Sequence, residues 1–370
     1  MVTAHVFFDK GGFFSKKAIE FVEKISPKTH FYYFQSSSEI KYLNINLIKD
    51  KGTLLNLIKE NKIQKVIFHS LHYFQHDLMK EIKVTSQNKV KIAWVFWSLE
   101  FYQLPFNLSI LYSKGNRKYL FRKYLSFFYE NLLHLIKKNT DTPFNFLKSL
   151  YYRNIKNVDE FYSFIENDFD KIFPDKTPSY SYLPYLDYND IINISEKEII
   201  KDKIMIGHSG SPLLNHLETC KIIEKYSLKE ECLFSLSYGN KKYIKEIKQK
   251  LKTDFNFNYT ILDQRLPLET YNKVLNSVSI FFLNAYCQQG LGNIVYFLNN
   301  NTAIYLSEKS STFNFLKEKG FYIFSIEQIR KKEDIRELTK EEGKQNASLI
   351  RKKLDPNHVL DQWKILLSIK

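Results

Sequence analysis

Ile204-Met205-Ile206-Gly207-His208-Ser209-Gly210-Ser211-Pro212 is an apolar strand run that breaks into a turn of glycine and serine, and a helical pattern over Asn215–Tyr226 follows at once. A strand that ends in glycine and hands over to a helix opens a βαβ unit. Outward from it the alternation repeats. Cys232–Ser237, Asn258–Leu262, Ser279–Leu283, Ala303–Leu306 and Phe321–Phe324 read as strands, with helical patterns over Lys241–Leu251, Pro267–Ser277, Leu291–Asn299 and Thr312–Lys319 between them. This spacing predicts a complete doubly wound α/β unit. Asn215 precedes Glu218 by three residues, the pattern of an N-cap and its N3 partner.

Upstream, His5–Phe8, His30–Phe34, Lys65–His69 and Lys91–Trp97 read as strands, with helical segments at Ser15–Ile25, Thr53–Asn61 and Phe74–Val84. Asn157–Phe164 and Tyr180–Pro184 are later strands of the same sheet. Strands flanked by helices argue for a second parallel sheet covered on both faces. Asp187 to Asp202 is polar, without a core pattern, and reads as a linker. The final helix, from Asn357, carries Val359, Leu360, Trp363, Leu366 and Leu367 at helical spacing, which suits a helix that crosses back onto the first domain. The expected organisation is a domain over 1–190, a second over 203–350, and a returning helix over 356–370.

With 370 residues, 44% of them hydrophobic and 26% charged, the chain is too apolar for disorder and long enough for two domains. Cys220, Cys232 and Cys287 are too few and too scattered for a disulfide framework or a zinc site, which points to a reducing compartment. No signal peptide is visible at the N-terminus. Ile92–Tyr112 approaches membrane-spanning length, but Glu100, Gln103, Pro105 and Asn107 interrupt it. A charge at mid-bilayer costs about 2.5 kcal/mol or more, so the stretch reads as a core strand and a loop.

The candidate functional residues cluster after strand ends. Gly207-His208-Ser209-Gly210 lets backbone approach a ligand and offers hydroxyls and amides to phosphate; a plain strand-to-helix turn is the simpler reading of that loop alone. Gln288-Gln289-Gly290-Leu291-Gly292-Asn293 opens a helix, and a helix N-terminus carries roughly half a positive charge with unpaired amides, a seat for a diphosphate without a metal. Tyr238 and Gly239, and Arg265, follow two further strands and complete the donor-side set. In the first half, Glu100 lies just past a strand end, where a carboxylate could deprotonate a hydroxyl, although a solvated loop glutamate would look the same. His69 would orient an acceptor, with Gly11, Gly12, Ser70, Trp97 and Tyr102 around it. Asp168-Phe169-Asp170 matches a short metal-binding pattern, but Asp168 opens a helical stretch and reads as its cap, so no metal or other cofactor is expected.

Four segments together resemble the TDP-N-acetylfucosamine:lipid II N-acetylfucosaminyltransferases, glycosyltransferase family 56. They are Phe68-His69, Trp94 to Leu104 with its paired tryptophans, Gly207 to Glu218, and Gln288 to Gly292, of which the last is the most specific. The resemblance implies a GT-B fold, two Rossmann-like doubly wound domains facing across a cleft. It also implies a nucleoside-diphosphate sugar as donor on the second domain and a polyprenyl-diphosphate-linked acceptor at the first, in cell-surface glycan assembly. Departures are Glu100 where the family has aspartate, His208 where it has asparagine, and a longer, more aromatic segment after Leu104. These leave the reaction type in place and the sugar open. A nucleotide-sugar epimerase of related fold and a basic nucleic-acid-binding protein are the alternatives.

Charge sharpens the partner expectation. Of the net +15, the segment 105–156 holds +8, from ten Lys and Arg against two Asp and Glu, and it carries twelve aromatic residues. Leu120, Tyr124, Phe127, Phe128, Leu132 and Leu135 recur at helical spacing beside Arg117, Lys118, Arg122 and Lys123, a basic amphipathic helix suited to an anionic membrane surface. The segment is expected on the first domain, seating the enzyme peripherally on the inner face of the cytoplasmic membrane. Only seven of the basic residues are Arg, and no nucleic-acid module is present, so nucleic acid is not expected as a partner.

Overall fold

The computed structural model describes residues 1–8, 12–35, 45–72, 75–104, 107, 110–119, 151–190 and 200–368. In the first half these form β1 (Thr3–Phe7), α1 (Phe13–Ile25), β2 (Phe31–Phe34), β3 (Asn46–Ile48), α2 (Lys51–Lys59), β4 (Lys65–His69), α3 (His76–Thr85), β5 (Lys91–Val95), α4 (Leu99–Tyr102), β6 (Glu160–Ser163), α5 (Glu166–Ile172) and β7 (Ser179–Tyr182). The second half runs β8 (Lys203–Ile206), α6 (His216–Lys225), β9 (Glu231–Ser235), α7 (Lys241–Thr253), β10 (Tyr259–Leu262), α8 (Leu268–Asn276), β11 (Val278–Leu283), α9 (Leu291–Asn299), β12 (Ala303–Leu306), α10 (Ser311–Glu318), β13 (Phe324–Ser325), α11 (Lys340–Lys353) and α12 (Pro356–Leu367). The chain divides into two compact units: Met1–Phe106 with Leu135–Asp187 and Leu354–Lys370, and Asn107–His134 with Tyr188–Lys353.

The first unit holds a seven-stranded sheet in the order β3-β2-β1-β4-β5-β6-β7, parallel throughout. Its central strands are buried on both faces, which is why they read as unbroken apolar runs. One face is closed by α1 and α12: Val359, Trp363 and Leu366 are buried against Ala18, Val22, Tyr32 and Ile67. Trp363 stacks on Phe21, centroids 5.1 Å apart, and its Nε1–H donates to the Pro184 carbonyl at 2.9 Å. At the base of the sheet Lys65 is fully buried, donates to Glu160 Oε2 at 2.5 Å and to the Ser368 carbonyl at 2.9 Å, and so ties the end of α12 to the strands.

The second unit holds a six-stranded parallel sheet in the order β10-β9-β8-β11-β12-β13. Both sheets therefore reverse direction beside their first strand, between β1 and β4 in one and between β8 and β11 in the other. In open α/β sheets that reversal leaves a crevice at the carboxyl ends of the strands, where ligands bind.

Four expectations change. The segment 105–156, expected whole on the first domain, is divided: its described residues 151–156 lie in the first unit and its described residues 110–119 belong with the second. There Asn116 Nδ2 donates to the Pro212 carbonyl at 2.8 Å and to Asn215 Oδ1 at 3.0 Å, while Ser113 N donates to the same oxygen at 3.2 Å. Leu120 to Leu135, with Arg122 and Lys123, lies outside the described residues, as does Gly11. Asn215 takes a left-handed φ of +46° and makes no side-chain cap, because its Oδ1 accepts from Ser113 N and Asn116 Nδ2 instead of from the helix amides, while its Nδ2 donates to the Asn284 carbonyl at 2.8 Å. Asp168 is not the cap of α5: Ile165 holds that place, and Asp168 sits buried in the first turn, accepting from Tyr102 Oη at 2.6 Å. The last strand is Phe324–Ser325 rather than Phe321–Phe324.

Candidate active site

At the carboxyl edge of the second sheet, β8, β9 and β11 bring three loops together. Gly207 N donates to the Phe282 carbonyl at 2.9 Å, pinning the first loop to β11. Gly210 N donates to the Tyr238 carbonyl at 2.7 Å and the Gly210 carbonyl accepts from Asn240 N at 2.9 Å, joining the first loop to the second. Added Cβ atoms show why these loops need glycine: one on Gly207 would stand 2.4 Å from His216 Nε2, one on Gly239 2.5 Å from the Gly210 backbone, and one on Gly290 2.5 Å from the His208 ring. All three also hold positive φ. Gly292 differs. A Cβ there would meet nothing within 4 Å, so packing does not require a glycine in this first turn of α9.

The residues expected at a donor are thus in one place, with distinct duties. His208 Nδ1 lies 3.2 Å from Tyr238 Oη, and burial lowers the imidazole to about 4, with its own backbone and Gln289 opposing, so the ring is neutral at pH 7. Ser209 and Gln288 are buried, and Gln289 Nε2 donates to the Gln288 carbonyl at 3.0 Å. Asn293 Nδ2 donates to Tyr271 Oη at 3.0 Å, a support for the helix start. Arg265 is exposed, and its charge acts on the Tyr238 phenol. Lys309, after β12 and not singled out from sequence, places its ammonium 4.2 Å from the centre of the Tyr286 ring. Leu291 begins α9.

The matching edge of the first sheet carries a cavity of about 320 Å³ lined by Phe7, Phe14, His69, Trp97, Glu100 and Tyr185 among others. Phe7 stacks on His69 with centroids 4.2 Å apart, and Trp97 lies 4.0 Å from Tyr185 and 4.5 Å from Phe14. Ser70 and Ser98, both at strand ends on this edge, hold φ of +74° and +93°. Strain of that kind in non-glycine residues collects at functional sites. Glu100 is 4% exposed; its Oε1 accepts from Trp97 N at 2.7 Å and from Trp94 Nε1 at 3.3 Å. Burial pushes its carboxyl up to about 7, against those hydrogen bonds and with the Asp168 charge adding to the rise. A carboxyl poised there exchanges protons readily near neutral pH. His69 is buried and lowered to about 3 by that burial, hence neutral. Tyr102, expected at the acceptor, is outside this lining: its hydroxyl is used on Asp168. Gly12 is exposed ahead of α1 and also outside it.

Residues 167–369 match the family model described as 4-alpha-L-fucosyltransferase, glycosyl transferase group 56, and so cover more than half of the 370 residues. The chain belongs to glycosyltransferase group 56. No curated protein sequence matches it. Among solved structures, the group 56 chain is similar to a glycosyltransferase from Rickettsia africae, with a TM-score of 0.60 at 10% identity over 100% of this chain and 99% of that one. A sucrose-phosphate synthase from Thermosynechococcus elongatus gives 0.59 at 10% identity over 99% and 98%. HepE of Anabaena, in complex with UDP and glucose, gives 0.54 at 8% identity over 99% and 94%. At such identities the likeness shows the fold, which is GT-B.

Sequence reasoning about this group 56 glycosyltransferase missed Phe14 and Tyr185 in the first-sheet cavity. Tyr185 directly follows the expected strand Tyr180–Pro184, a position that could have flagged it. Among the described residues no group of three His, Cys, Asp or Glu is arranged to hold a metal; of the Asp168-Phe169-Asp170 pair, Asp168 is buried and Asp170 exposed.

Proposed function

We propose that this glycosyltransferase moves a sugar from a nucleoside diphosphate to a hydroxyl of a lipid-linked saccharide, with Glu100 as the general base. The observation that carries the reading is the buried Glu100 carboxyl, held near neutral pKa in the aromatic cavity at the first sheet's reversal point. In the transfer the acceptor oxygen forms its bond to the sugar's anomeric carbon as the bond to the diphosphate breaks, and the acceptor proton passes to Glu100. Phe7, Phe14, Trp97 and Tyr185 supply the stacking and apolar surface that a sugar with a lipid tail would use.

The donor belongs to the second unit. Its diphosphate would lie on the amides that open α9, over the open space at Gly292, with Gln288 and Gln289 beside it and Lys309 and Arg265 adding positive charge. The family's description names fucosyl transfer, which supports a deoxyhexose, N-acetylated by the resemblance of the motifs. The Anabaena neighbour was solved with UDP, which supports a nucleotide sugar. No metal is part of this reading.

The lipid-linked acceptor requires a membrane surface. No described helix is long and apolar enough to cross a bilayer; in this reading the contact is peripheral, on the cytoplasmic face, through basic side chains. Exposed Lys114, Arg117 and Lys118 continue onto α7, whose Lys241, Lys242, Lys245 and Lys252 are exposed while Tyr243, Ile247 and Leu251 face the core. Lys118 and Tyr119 both bond Glu246, which fastens the two segments together. Apart from Lys118, whose charge Glu246 takes up, each such cation contributes about 1 kcal/mol at an anionic leaflet.

Glu100→Gln keeps the shape and removes the base. Transfer should fall about 10²–10⁴-fold while nucleotide affinity stays within twofold; turnover near that of the wild type would exclude Glu100 from the mechanism.

A further inference from the structure

A chain of buried polar side chains leads through the first unit to the cavity. Thr3 and His5 are two apart on β1 and so share one face, and His69 at the end of β4 lies on the same side, opposite Phe7. Thr3 Oγ1 is 2.6 Å from His30 Nδ1 and 2.9 Å from His5 Nε2; His5 Nδ1 is 2.9 Å from His69 Nε2; His69 Nδ1 is 2.8 Å from Tyr185 Oη. All four residues inward of Tyr185 are at most 5% exposed.

One backbone group sets the direction of every bond in this chain. Thr3 N–H can only donate, and it donates to His30 Nδ1 at 3.2 Å. That nitrogen therefore carries no proton, so the Thr3 hydroxyl must donate to it as well. The hydroxyl's own oxygen is then the acceptor for His5 Nε2–H. Burial lowers His5 well below its ordinary range, with the His69 and His30 charges adding to the effect, and it lowers His69 and His30 to about 3 and about 4. Each neutral imidazole has one N–H and one bare nitrogen. His5 Nδ1 is bare and accepts from His69 Nε2–H; His69 Nδ1 is bare and accepts from Tyr185 O–H.

We propose that Thr3, His5 and His30 are positioning residues that fix the polarity of Tyr185, so that Tyr185 faces the cavity as a hydrogen-bond acceptor and selects an occupant offering a hydroxyl. Resting on the acceptor reading of this cavity, the proposal assigns one hydroxyl of the acceptor sugar to Tyr185 Oη for binding, while the proton of a second, attacking hydroxyl passes to Glu100 in the same lining. A ligand presenting only acceptor oxygens at that point, such as a ketone or ether, is disfavoured, because a polar contact with the wrong polarity leaves a desolvated group unpaired.

Nitrogen-15 correlation spectra of the full chain, with its nine histidines assigned by single substitutions, read the tautomers directly. At pH 7, His5, His30 and His69 should all be the Nε2–H form; an Nδ1–H form at any of the three overturns the chain. This outcome is independent of whether the protein transfers a sugar. Thr3→Val, which keeps shape and removes the hydroxyl, should turn His5 and His69 into mixtures, and Thr3→Ser should restore single forms; retention of Nε2–H in the valine variant also overturns it. For Tyr185, the probe is n-octyl β-D-glucoside below its micelle concentration, followed by Trp fluorescence. Binding should weaken about tenfold in Tyr185→Phe, the scale of one lost hydrogen bond. Equal binding by both proteins, or no saturable binding by the wild type, removes Tyr185 from recognition.

Discussion

Glu100 gives a stability prediction that does not depend on knowing the substrate. Its carboxyl rises from an ordinary 4.5 to about 7 because burial penalises the charged form. With about 1.4 kcal/mol for each tenfold change in proton affinity, ionising it in the folded protein costs on the order of 3 kcal/mol. The folded pKa lies above the unfolded one, so the stabilising contribution of the protonated form is complete below pH 4.5. It is lost as pH rises through 7 and then stays lost. Glu100→Gln removes this titration while keeping an oxygen for Trp97 N and Trp94 Nε1. Urea unfolding of both proteins from pH 4.5 to 9 should therefore show the variant gaining on the wild type by about 3 kcal/mol, with the gain levelling off above pH 7. A difference that stays flat within about 0.5 kcal/mol across that range would refute the burial of an ionisable Glu100.

Three other substitutions separate packing from function. Gly292→Ala meets no atom and should hold or raise stability, by up to about 1 kcal/mol for replacing a helical glycine, while weakening nucleotide binding; unchanged affinity would remove the donor diphosphate from that turn. Gly290→Val forces a branched residue to φ +60° against the His208 ring, so melting temperature and nucleotide binding should both drop; a stable, binding-competent variant would contradict the loop geometry. Trp363→Ala should destabilise the first unit by about 3–5 kcal/mol in urea unfolding, and a loss below about 1 kcal/mol would mean that α12 does not help hold that core. Binding to vesicles of anionic lipid should fall with added salt and in a Lys114→Glu, Arg117→Glu double variant, and indifference to both would exclude the proposed membrane face.

Elements with sharp chemical borders were legible in the sequence. Lys65–His69, Leu291–Asn299 and Ala303–Leu306 are the spans read from pattern and the spans observed, since each is an apolar run or stripe ended by glycine, asparagine or a polar cluster. The three-residue β3 was not read, being too short to show alternation, and neither was α4, a single turn whose lone signal is the acidic Glu100. Long-range partners were not legible at all. Nothing in Ser113 or Asn116 tells that each meets a side chain about a hundred residues away, and so residues 110–119 were not separable from the rest of their segment, whose described residues 151–156 do lie in the first unit. The candidate site shows the same limit. Glu100 was found from its place after a strand, but its burial, and hence its pKa, depends on Trp94 and Asp168 packing around it. His5 reads in the sequence only as the first residue of a short strand run. Its role emerges only when β1 and β4 set it beside His69.

The central claim, a nucleotide-sugar transferase with a separate acceptor, is tested most directly by nucleotide release. UDP, GDP, TDP and CDP are titrated against the full chain. The sugar nucleotide of the base that binds is then incubated with and without a prenyl-diphosphate-linked saccharide, and release of the nucleoside diphosphate is followed. The account predicts that one base binds and that release requires the acceptor. Binding of none of the four, or turnover of the sugar nucleotide at the same rate without acceptor, would contradict it.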